Sequence, residues 1–184
     1  PNLSMDKKMV IKKNGEDTIC YAFSYYYVEL ACARMLVELN QTMLPEGELL
    51  PAQEEAILKR EDQIQQQEDE LQRKAVLESV RNSILILTGG PGTGKTTTIN
   101  TIIRYFEGEG LDLYLAAPTG RAAKRMTEAT GYEARTIHRM LELSGAMPES
   151  GKKASFERNE DNPLEADVII VDEMSMVDIH LFQS

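Results

Sequence analysis

The strongest chemical signal in the chain is the loop GGPGTGKTT at residues 89–97, which matches the spacing G-x-x-x-x-G-K-[ST] without a mismatch. Backbone N–H groups can surround a row of phosphates closely only where Cβ atoms are absent, and the glycines of this loop meet that need. We expect Lys95 to reach the β- and γ-phosphates and the Thr96 hydroxyl to ligate Mg²⁺. The predicted nucleotide contacts are Gly89, Gly90, Pro91, Gly92, Thr93, Gly94, Lys95, Thr96 and Thr97.

An acidic pair, Asp172 and Glu173, follows the apolar run VIIV at residues 168–171. A carboxylate at the end of a buried strand lies at the edge where α/β sheets bind ligands. We expect Asp172 to hold hydrated Mg²⁺ and Glu173 to polarise the attacking water, so Glu173 and Lys95 are the catalytic candidates. A small-molecule kinase needs no water-activating carboxylate, which favours hydrolysis. The alternative for Glu173 is an acidic residue that only precedes a helix.

Three short apolar runs predict the strands that would position these residues, at 84–87, 113–117 and 168–171. Helices are expected at 96–106 and 121–130, with another near 134–143, and a surface loop at 150–162. Strands and helices that alternate in this way indicate right-handed βαβ units. The sequence therefore predicts an α/β fold with a parallel sheet.

The N-terminal part has a different, α+β character. The segments MVIKK and TICYA around Asn14-Gly15 predict a hairpin, and SYYYVELACARMLVELNQ predicts an amphipathic helix. The tyrosines at 25–27 would point in different directions on that helix, so we interpret them as packing residues and not as a base-stacking platform. A polar helical connector then carries a thin apolar stripe of Ile57, Ile64, Leu71 and Val80.

These changes of character predict three regions. They are a hairpin-plus-helix region at 1–44, a polar helical connector at 45–80 and the α/β domain at 81–184. Because the chain begins with Pro1 instead of Met, we also expect it to be a piece of a longer protein.

Composition restricts the class of protein further. The 184 residues include 20 Lys and Arg against 30 Asp and Glu, a formal net charge of −10, so binding of nucleic acid would need a local site. Cys20 and Cys32 lack the spacing of a metal site and are interpreted as reduced, partly buried thiols of a cytoplasmic protein. No apolar run approaches the ~20 residues of a membrane span, and no secretory signal is visible. We therefore expect no membrane partner.

Four motifs occur in a defined order: GGPGTGKTTT, APTGRAAKRM, ARTIHRML and VIIVDEMSMVD. In this order and spacing they resemble the first motor domain of the RecD-like superfamily 1 DNA helicases, the family of the exonuclease V alpha subunit. The resemblance covers residues 71–178 and implies an incomplete RecA-like P-loop NTPase sheet that binds ATP and Mg²⁺. It also implies a motor that couples ATP hydrolysis to translocation on single-stranded DNA and to duplex unwinding in DNA repair and recombination.

The resemblance also implies contacts outside the phosphate loop. Gln72 matches the family's adenine-reading glutamine, and an amide can donate and accept as the adenine edge requires, although the glutamines at 63 and 65–67 are alternatives. APTGR resembles motif Ia, which contacts the DNA backbone, and TIHR resembles another strand-contacting motif. Without the family, Thr119 is equally well an N-cap. The implied DNA contacts are Pro118, Thr119, Gly120, Arg121, Thr136 and His138.

The chain ends at Ser184. It therefore lacks the GD-x-x-Q-L motif and the second motor domain that the family pattern would place next. An arginine from that domain can supply ~10³–10⁵ in rate, so we expect the isolated chain to be inactive. The intact parent would act on single-stranded DNA, alone or with other exonuclease V subunits. An alternative class is a nucleotide-dependent switch or assembly ATPase with a protein partner, which the charge of −10 suits, and a third is a non-catalytic scaffold.

Overall fold

A computed structural model describes residues 8–41, 70–90, 92–144 and 155–184. The chain divides into two units, one comprising Pro1–Thr42 and Val177–Ser184 and the other Met43–Met176. Pro91, Ile57, Ile64 and most of the predicted connector lie outside the described residues. None of the helices in the described ranges is long and apolar enough to cross a membrane.

The first unit begins with the hairpin that the sequence predicts. Strands β1 (Met9–Asn14) and β2 (Asp17–Ala22) pair antiparallel, with Asn14 opposite Asp17. The turn between them needs a left-handed residue, and Gly15 supplies it with φ +62°. Helix α1 (Phe23–Gln41) follows directly, which confirms the predicted helix. Its amphipathic character is not confirmed, because Met35 and Leu39 of the expected apolar face are each about half exposed.

The tyrosines of α1 pack edge-on against their neighbours and do not form one stack. The ring of Tyr26 lies 5.4 Å from that of Tyr21 and 5.3 Å from that of Tyr27, in T-shaped arrangements. Tyr25 contacts His180 at 5.4 Å, on the short helix Ile179–Gln183 that packs on α1 within this unit. The rings form no single stack, as predicted, but Tyr25 and Tyr27 are each 50% exposed, so only Tyr26 fits the packing interpretation well. Both cysteines are free, but only Cys32 is buried; Cys20 is exposed, so its predicted partial burial is wrong.

The second unit contains a three-stranded parallel sheet in the order β4-β3-β5. Strand β3 (Leu113–Ala117) lies in the centre, between β4 (Ala134–Thr136) and β5 (Val168–Val171). The accompanying helices are α2 (Glu70–Arg81), α3 (Lys95–Gly108), α4 (Gly120–Thr130) and α5 (Ile137–Met140). A 3-10 turn at Met174–Met176 follows β5, and we number the terminal helix of the first unit α6. This is the predicted α/β class.

Helix α3 provides the centre of the core because consecutive residues on it enter two clusters. Ile102 packs with Val76 and Phe106, whereas Ile103 is fully buried with Leu115 and Met126. Val76 from α2 is 1% exposed, which makes α2 part of this core. Leu71, expected in the apolar stripe, is 72% exposed, so that part of the prediction is wrong. The stripe of α2 is centred on Ala75 and Val76 instead.

Two further predictions differ from the structure. Residues 84–87 do not form a strand, and Ile86 is 82% exposed. An apolar run becomes a strand only where a neighbouring strand supplies hydrogen bonds, and no ladder with this run is formed in the described part of the sheet. The predicted helix near 134–143 begins with β4 and becomes helical only at Ile137, because residues 134–136 pair with β3.

The core predicts that two leucines contribute very differently to the free energy of unfolding. Replacement of Leu115, which is 3% exposed on the central strand, by Ala should lower the free energy of unfolding by about 2–5 kcal/mol through lost burial and a cavity. Leu71→Ala on the exposed face of α2 should change it by less than about 0.5 kcal/mol. Urea unfolding of the two variants measures both values. Equal losses would contradict this description of the core.

Candidate nucleotide site

The carboxyl ends of the three parallel strands meet at one edge of the sheet. Ala117 on β3 is in register with Thr136 on β4, and Ala116 with Val171 on β5. The backbone N–H of Asp172 continues this register by donating to the carbonyl oxygen of Ala116 at 3.0 Å. The acidic pair, the APTGR segment and the TIHR segment are therefore brought to the same edge although they are distant in sequence.

The phosphate loop leads directly into α3, as its motif predicts. Helix α3 starts at Lys95, and its N-cap Gly94 has φ +75°, while Gly92 has φ +73°. The Thr93 hydroxyl donates to the carbonyl oxygen of Gly90 at 2.9 Å and shapes the loop. Because α3 begins inside the loop, its unpaired N–H groups and the positive end of its dipole are available to an anion.

The ammonium group of Lys95 lies on the loop itself. Its Nζ donates to the carbonyl oxygens of Gly89 at 2.6 Å and Gly90 at 2.7 Å. Carbonyl oxygens carry only partial charge, so an anionic phosphate oxygen is a stronger partner for this cation. The lysine is therefore held at the loop and can exchange neutral acceptors for charged ones.

The acidic pair occupies a strained turn after β5. Glu173 has φ +55°, a left-handed conformation that costs a non-glycine residue about 1–2 kcal/mol. Its backbone N–H donates to Asp172 Oδ1 at 2.8 Å, which helps to hold the turn. Glu173 Oε1 lies 3.6 Å from Nη2 of Arg125 on α4, so the two side chains form an ion pair.

An open cleft of about 620 Å³ brings these groups together. Its charged and polar lining includes Lys95, Thr96, Arg125, Asp172 and Glu173, and helices α3 and α4 supply apolar walls. The Thr96 hydroxyl and the Asp172 carboxylate offer the hard oxygen ligands that Mg²⁺ prefers, with phosphate and water completing its shell. The residues present therefore fit a Mg²⁺-bound nucleotide, with Lys95 providing charge to the phosphates.

Gln72, the residue expected to read adenine, lies against the phosphate loop. A Cβ atom added at Gly94 would overlap its side-chain nitrogen, so the amide of α2 packs directly on the backbone of Gly94. Gln63 and the glutamines at 65–67 lie outside the described residues. The adenine contact itself stays a prediction, but the proximity of Gln72 to the loop is a finding.

The residues expected to contact DNA also serve the fold. The Thr119 hydroxyl caps α4 by accepting from Ala122 N at 3.2 Å, and the Thr136 hydroxyl caps α5 by accepting from Arg139 N at 3.2 Å. The N-cap alternative for Thr119 is thus present in the structure. A hydroxyl that accepts one bond can still donate its proton, so capping leaves a phosphate contact open.

The other members of this set lie on the surface. Arg121 is exposed, and Gly120 beside it is also exposed, while Pro118 is half-buried. His138 is exposed, with its ring 5.9 Å from that of Phe156. Nearby, Arg135 pairs with Glu133, and this ion pair lowers the pKa of Glu133 and raises that of Arg135.

Sequence reasoning missed Arg125 as a residue of the cleft. It stands in the segment APTGRAAKRM, four residues after Arg121 on α4. Residues separated by four positions share one face of a helix, so Arg125 lies on the same face of α4 as Arg121, which stands close to the sheet edge. That spacing was a visible signal, but the carboxylate it meets comes from β5 and could be assigned only by the tertiary structure.

The contact between Gln72 and Gly94 predicts unequal costs for two glycines with the same backbone conformation. Gly94→Ala should destabilise the protein more than Gly110→Ala, because both positions have φ near +75° but only Gly94 has a side chain against it. The strain common to both is about 1–2 kcal/mol. Adding Gln72→Ala to Gly94→Ala should return the loss to that of Gly110→Ala. Chemical unfolding measures the three values, and identical costs for the two single variants would contradict this prediction by showing that the flexible Gln72 amide moves aside without cost.

Comparison with known proteins places this site in a family. The family model for an AAA domain, AAA_19, matches residues 72–184. The ATP-dependent RecD2 DNA helicase of Deinococcus radiodurans is 41% identical over 107 residues, 58% of this chain and 14% of that protein. RecD, a subunit of the RecBCD enzyme, is 36% identical over 131 residues in Mycolicibacterium smegmatis, 59% of this chain and 23% of that protein.

A second RecD, from Haemophilus influenzae, is 35% identical over 127 residues, 59% of this chain and 20% of that protein. The chain thus spans less than a quarter of each of these relatives. The family match includes the phosphate loop, the APTGR and TIHR segments and the acidic pair. The chain belongs to the AAA_19 family of AAA domains, and its similarity to RecD and RecD2 confirms the RecD-like assignment.

Proposed function

We propose that the chain is the ATP-binding part of a DNA helicase motor, which couples ATP hydrolysis to translocation on single-stranded DNA and to unwinding in repair and recombination. The observation that carries the proposal is the shared edge of the sheet. It brings Asp172 and Glu173 into the cleft that Lys95 also lines, and it sets the APTGR and TIHR segments at the same edge. A DNA motor needs a nucleotide site next to a surface that can contact the DNA strand.

In this proposal the phosphate loop binds the nucleotide. The residues at 89–97 surround the phosphates with backbone N–H groups, and Lys95 exchanges the carbonyl oxygens of Gly89 and Gly90 for phosphate oxygens. Gln72 borders the same loop and offers its amide to the adenine. Thr96 and Asp172 hold Mg²⁺, which when bound would neutralise charge on the phosphates.

Glu173 serves as the acceptor for the proton of the attacking water. It lines the cleft together with Lys95 and Thr96, and its turn is fixed by the bond from its own N–H to Asp172. A carboxylate held at such a place orients water for attack and removes its proton. Lys95 stabilises the charge that develops on the phosphate oxygens.

Single-stranded DNA is the proposed partner at the edge of the sheet where β3 and β4 end. The N-terminus of α4 and the exposed guanidinium of Arg121 suit a phosphate of the backbone, with Thr119, Pro118 and Gly120 around them. Thr136 and His138 at α5 form the second contact. Such contacts are local, so they are compatible with the net charge of −10.

Larger assemblies follow from the relatives and remain part of the proposal. Two of the relatives are named as subunits of the RecBCD enzyme, so other exonuclease V subunits are candidate partners of the intact protein. We propose that this part of the intact protein is divided into the regions 1–44, 45–80 and 81–184. We also propose that the intact protein is cytoplasmic. Because the chain matches only part of each relative, the isolated chain is proposed to be inactive in hydrolysis and unwinding.

The second candidate is a nucleotide-dependent switch or assembly ATPase with a protein partner. One observation favours it: the hydroxyls of Thr119 and Thr136 are already engaged as helix caps, so both segments have a structural reason to exist. The two candidates differ in their response to DNA, since a switch protein needs no stimulation by it.

Hydrolysis by the intact protein tests the proposal. ATP turnover should be strongly stimulated by a single-stranded oligonucleotide, and Glu173→Gln should lower the stimulated rate by about 10²–10⁴-fold because it removes the proton acceptor. Nucleotide affinity should stay nearly unchanged. Glu128→Gln, an equal change at an exposed position of α4, is the matched control and should keep the rate. Hydrolysis that is indifferent to DNA would instead favour the switch.

The proposed contact with single-stranded DNA can be tested separately at Arg121. Arg121→Gln should weaken binding of single-stranded DNA uniformly across sequences and reduce the slope of log affinity against log salt by about 0.7, the loss of one phosphate contact. Arg104→Gln removes an exposed charge elsewhere, ten residues into α3, and should leave the slope unchanged. Arginine is a better target than Thr119, whose loss would also remove the cap of α4. Identical salt slopes for all three proteins would refute the contact.

A further inference from the structure

We infer that Phe156 is a specificity-determining residue of the proposed motor: with His138 it forms an aromatic platform on which one unpaired DNA base stacks, so the site distinguishes a single strand from a duplex. The inference rests on the proposed function, in which the residues after β4 contact single-stranded DNA. Its new element is a contact to a base, whereas the contacts at the N-terminus of α4 reach the phosphate backbone.

The first support is the pair of rings beside the end of β4. His138 is exposed on α5, which follows β4 directly, and its ring centroid lies 5.9 Å from that of Phe156, with 49° between the planes. At this tilt neither ring covers the flat face of the other. Phe156 is half-buried, so its ring is anchored in the protein and also reaches the surface. Every base has a π-face, so such a platform can stack a base of any sequence.

The second support is the backbone that carries Phe156. This residue forms an antiparallel bridge with Leu143. Beside the bridge, the backbone N–H of Ser144 donates to the carbonyl oxygen of Ser155 at 3.0 Å, and the Ser144 hydroxyl donates to the same oxygen at 2.6 Å. A ring on paired backbone has little conformational freedom to lose when a base stacks on it, so the contact is preorganised.

The third support is the strained residue between α5 and this pairing. Glu142 has φ +53°, a left-handed conformation that is costly for a non-glycine residue. Two contacts hold it: the backbone N–H of Leu143 donates to the carbonyl oxygen of His138 at 3.0 Å, and the Glu142 carboxylate forms an ion pair with Arg158 at 3.1 Å. Strained residues persist where the surrounding structure fixes them, and they cluster at ligand sites. Here the strained turn fixes the separation of His138 and Phe156.

A platform of this kind separates single strands from duplexes by the accessibility of the bases. The phosphates of both forms are accessible, so a phosphate contact such as that proposed for Arg121 binds both. The bases of a duplex are paired and stacked on each other, whereas an unpaired base can lie on an aromatic ring at little cost. The exposed Arg139, next to His138 in sequence, supplies positive charge for the backbone of the same strand.

The affinities of the intact protein for a single-stranded oligonucleotide and for a duplex of the same sequence test the platform. Phe156→Leu keeps an apolar side chain and removes the ring, so it should weaken single-strand binding about five- to 150-fold, the range for loss of one stacked base. Duplex affinity and the salt dependence of both affinities should stay unchanged, because no charge is removed. Phe156→Tyr keeps the ring and should bind both probes like the unsubstituted protein. Fluorescence anisotropy at several salt concentrations measures these values.

Two controls make the result specific to base stacking. An oligonucleotide of abasic nucleotides has the phosphates but no bases, and it should bind Phe156→Leu and the unsubstituted protein equally. Tyr25→Leu removes a 50% exposed ring from α1 in the first unit and should leave both affinities unchanged. A loss in Phe156→Leu that is equal for the single strand, the duplex and the abasic strand would show a structural role and overturn the inference.

The response of ATP hydrolysis to DNA separates this inference from the function on which it rests. If a single strand stimulates hydrolysis but Phe156→Leu binds it as tightly as the unsubstituted protein, the platform is wrong and the motor stands. If DNA stimulates no hydrolysis, the proposed motor fails, and a selective loss of single-strand affinity in Phe156→Leu would still support the platform.

Discussion

Parallel pairing of β3 with both of its neighbours is the constraint on which the rest of the second unit depends. In a parallel sheet all strands end at the same edge, so residues that follow β3, β4 and β5 meet there whatever their separation in sequence. Asp172 shows how closely the register is kept, since its N–H still bonds to Ala116 beyond the end of β5. This one arrangement places the acidic pair and both cap threonines at the same edge of the sheet.

The edge is built from conformations that cost free energy and must be held by their surroundings. Gly94 takes a left-handed conformation, which is why this position favours glycine; the Gln72 amide that a Cβ would meet is the end of a flexible side chain that can shift. Glu173 takes a left-handed conformation with a side chain, which the fold tolerates because the adjacent carboxylate accepts its N–H. Such positions concentrate where a loop must approach a ligand closely.

Helix α4 connects the parts of this edge. Its N-terminus is capped by Thr119 after β3, its middle reaches Glu173 through Arg125, and its end is bonded to α3 through Asn100. The buried residues Ala122, Ala123 and Met126 fix it against the sheet. A single element thus touches the proposed DNA contact, the proposed proton acceptor and the helix of the phosphate loop.

The sequence by itself determined the features that are local. The glycine spacing at 89–97, a helix directly after the phosphate loop, the hairpin around Gly15 and the strands at 113–117 and 168–171 follow from residue types and short-range periodicity, and the structure has them all. The four ordered motifs likewise indicated the RecD-like family that comparison confirms. Only the tertiary structure decided the non-local features. The run at 84–87 has the same apolar composition as a strand but forms no ladder, and residues 134–136 became a strand because β3 lies beside them. The partner of Glu173 could not be predicted either, since composition and periodicity describe neighbours along the chain, whereas an ion pair between α4 and the end of β5 depends on how the elements pack.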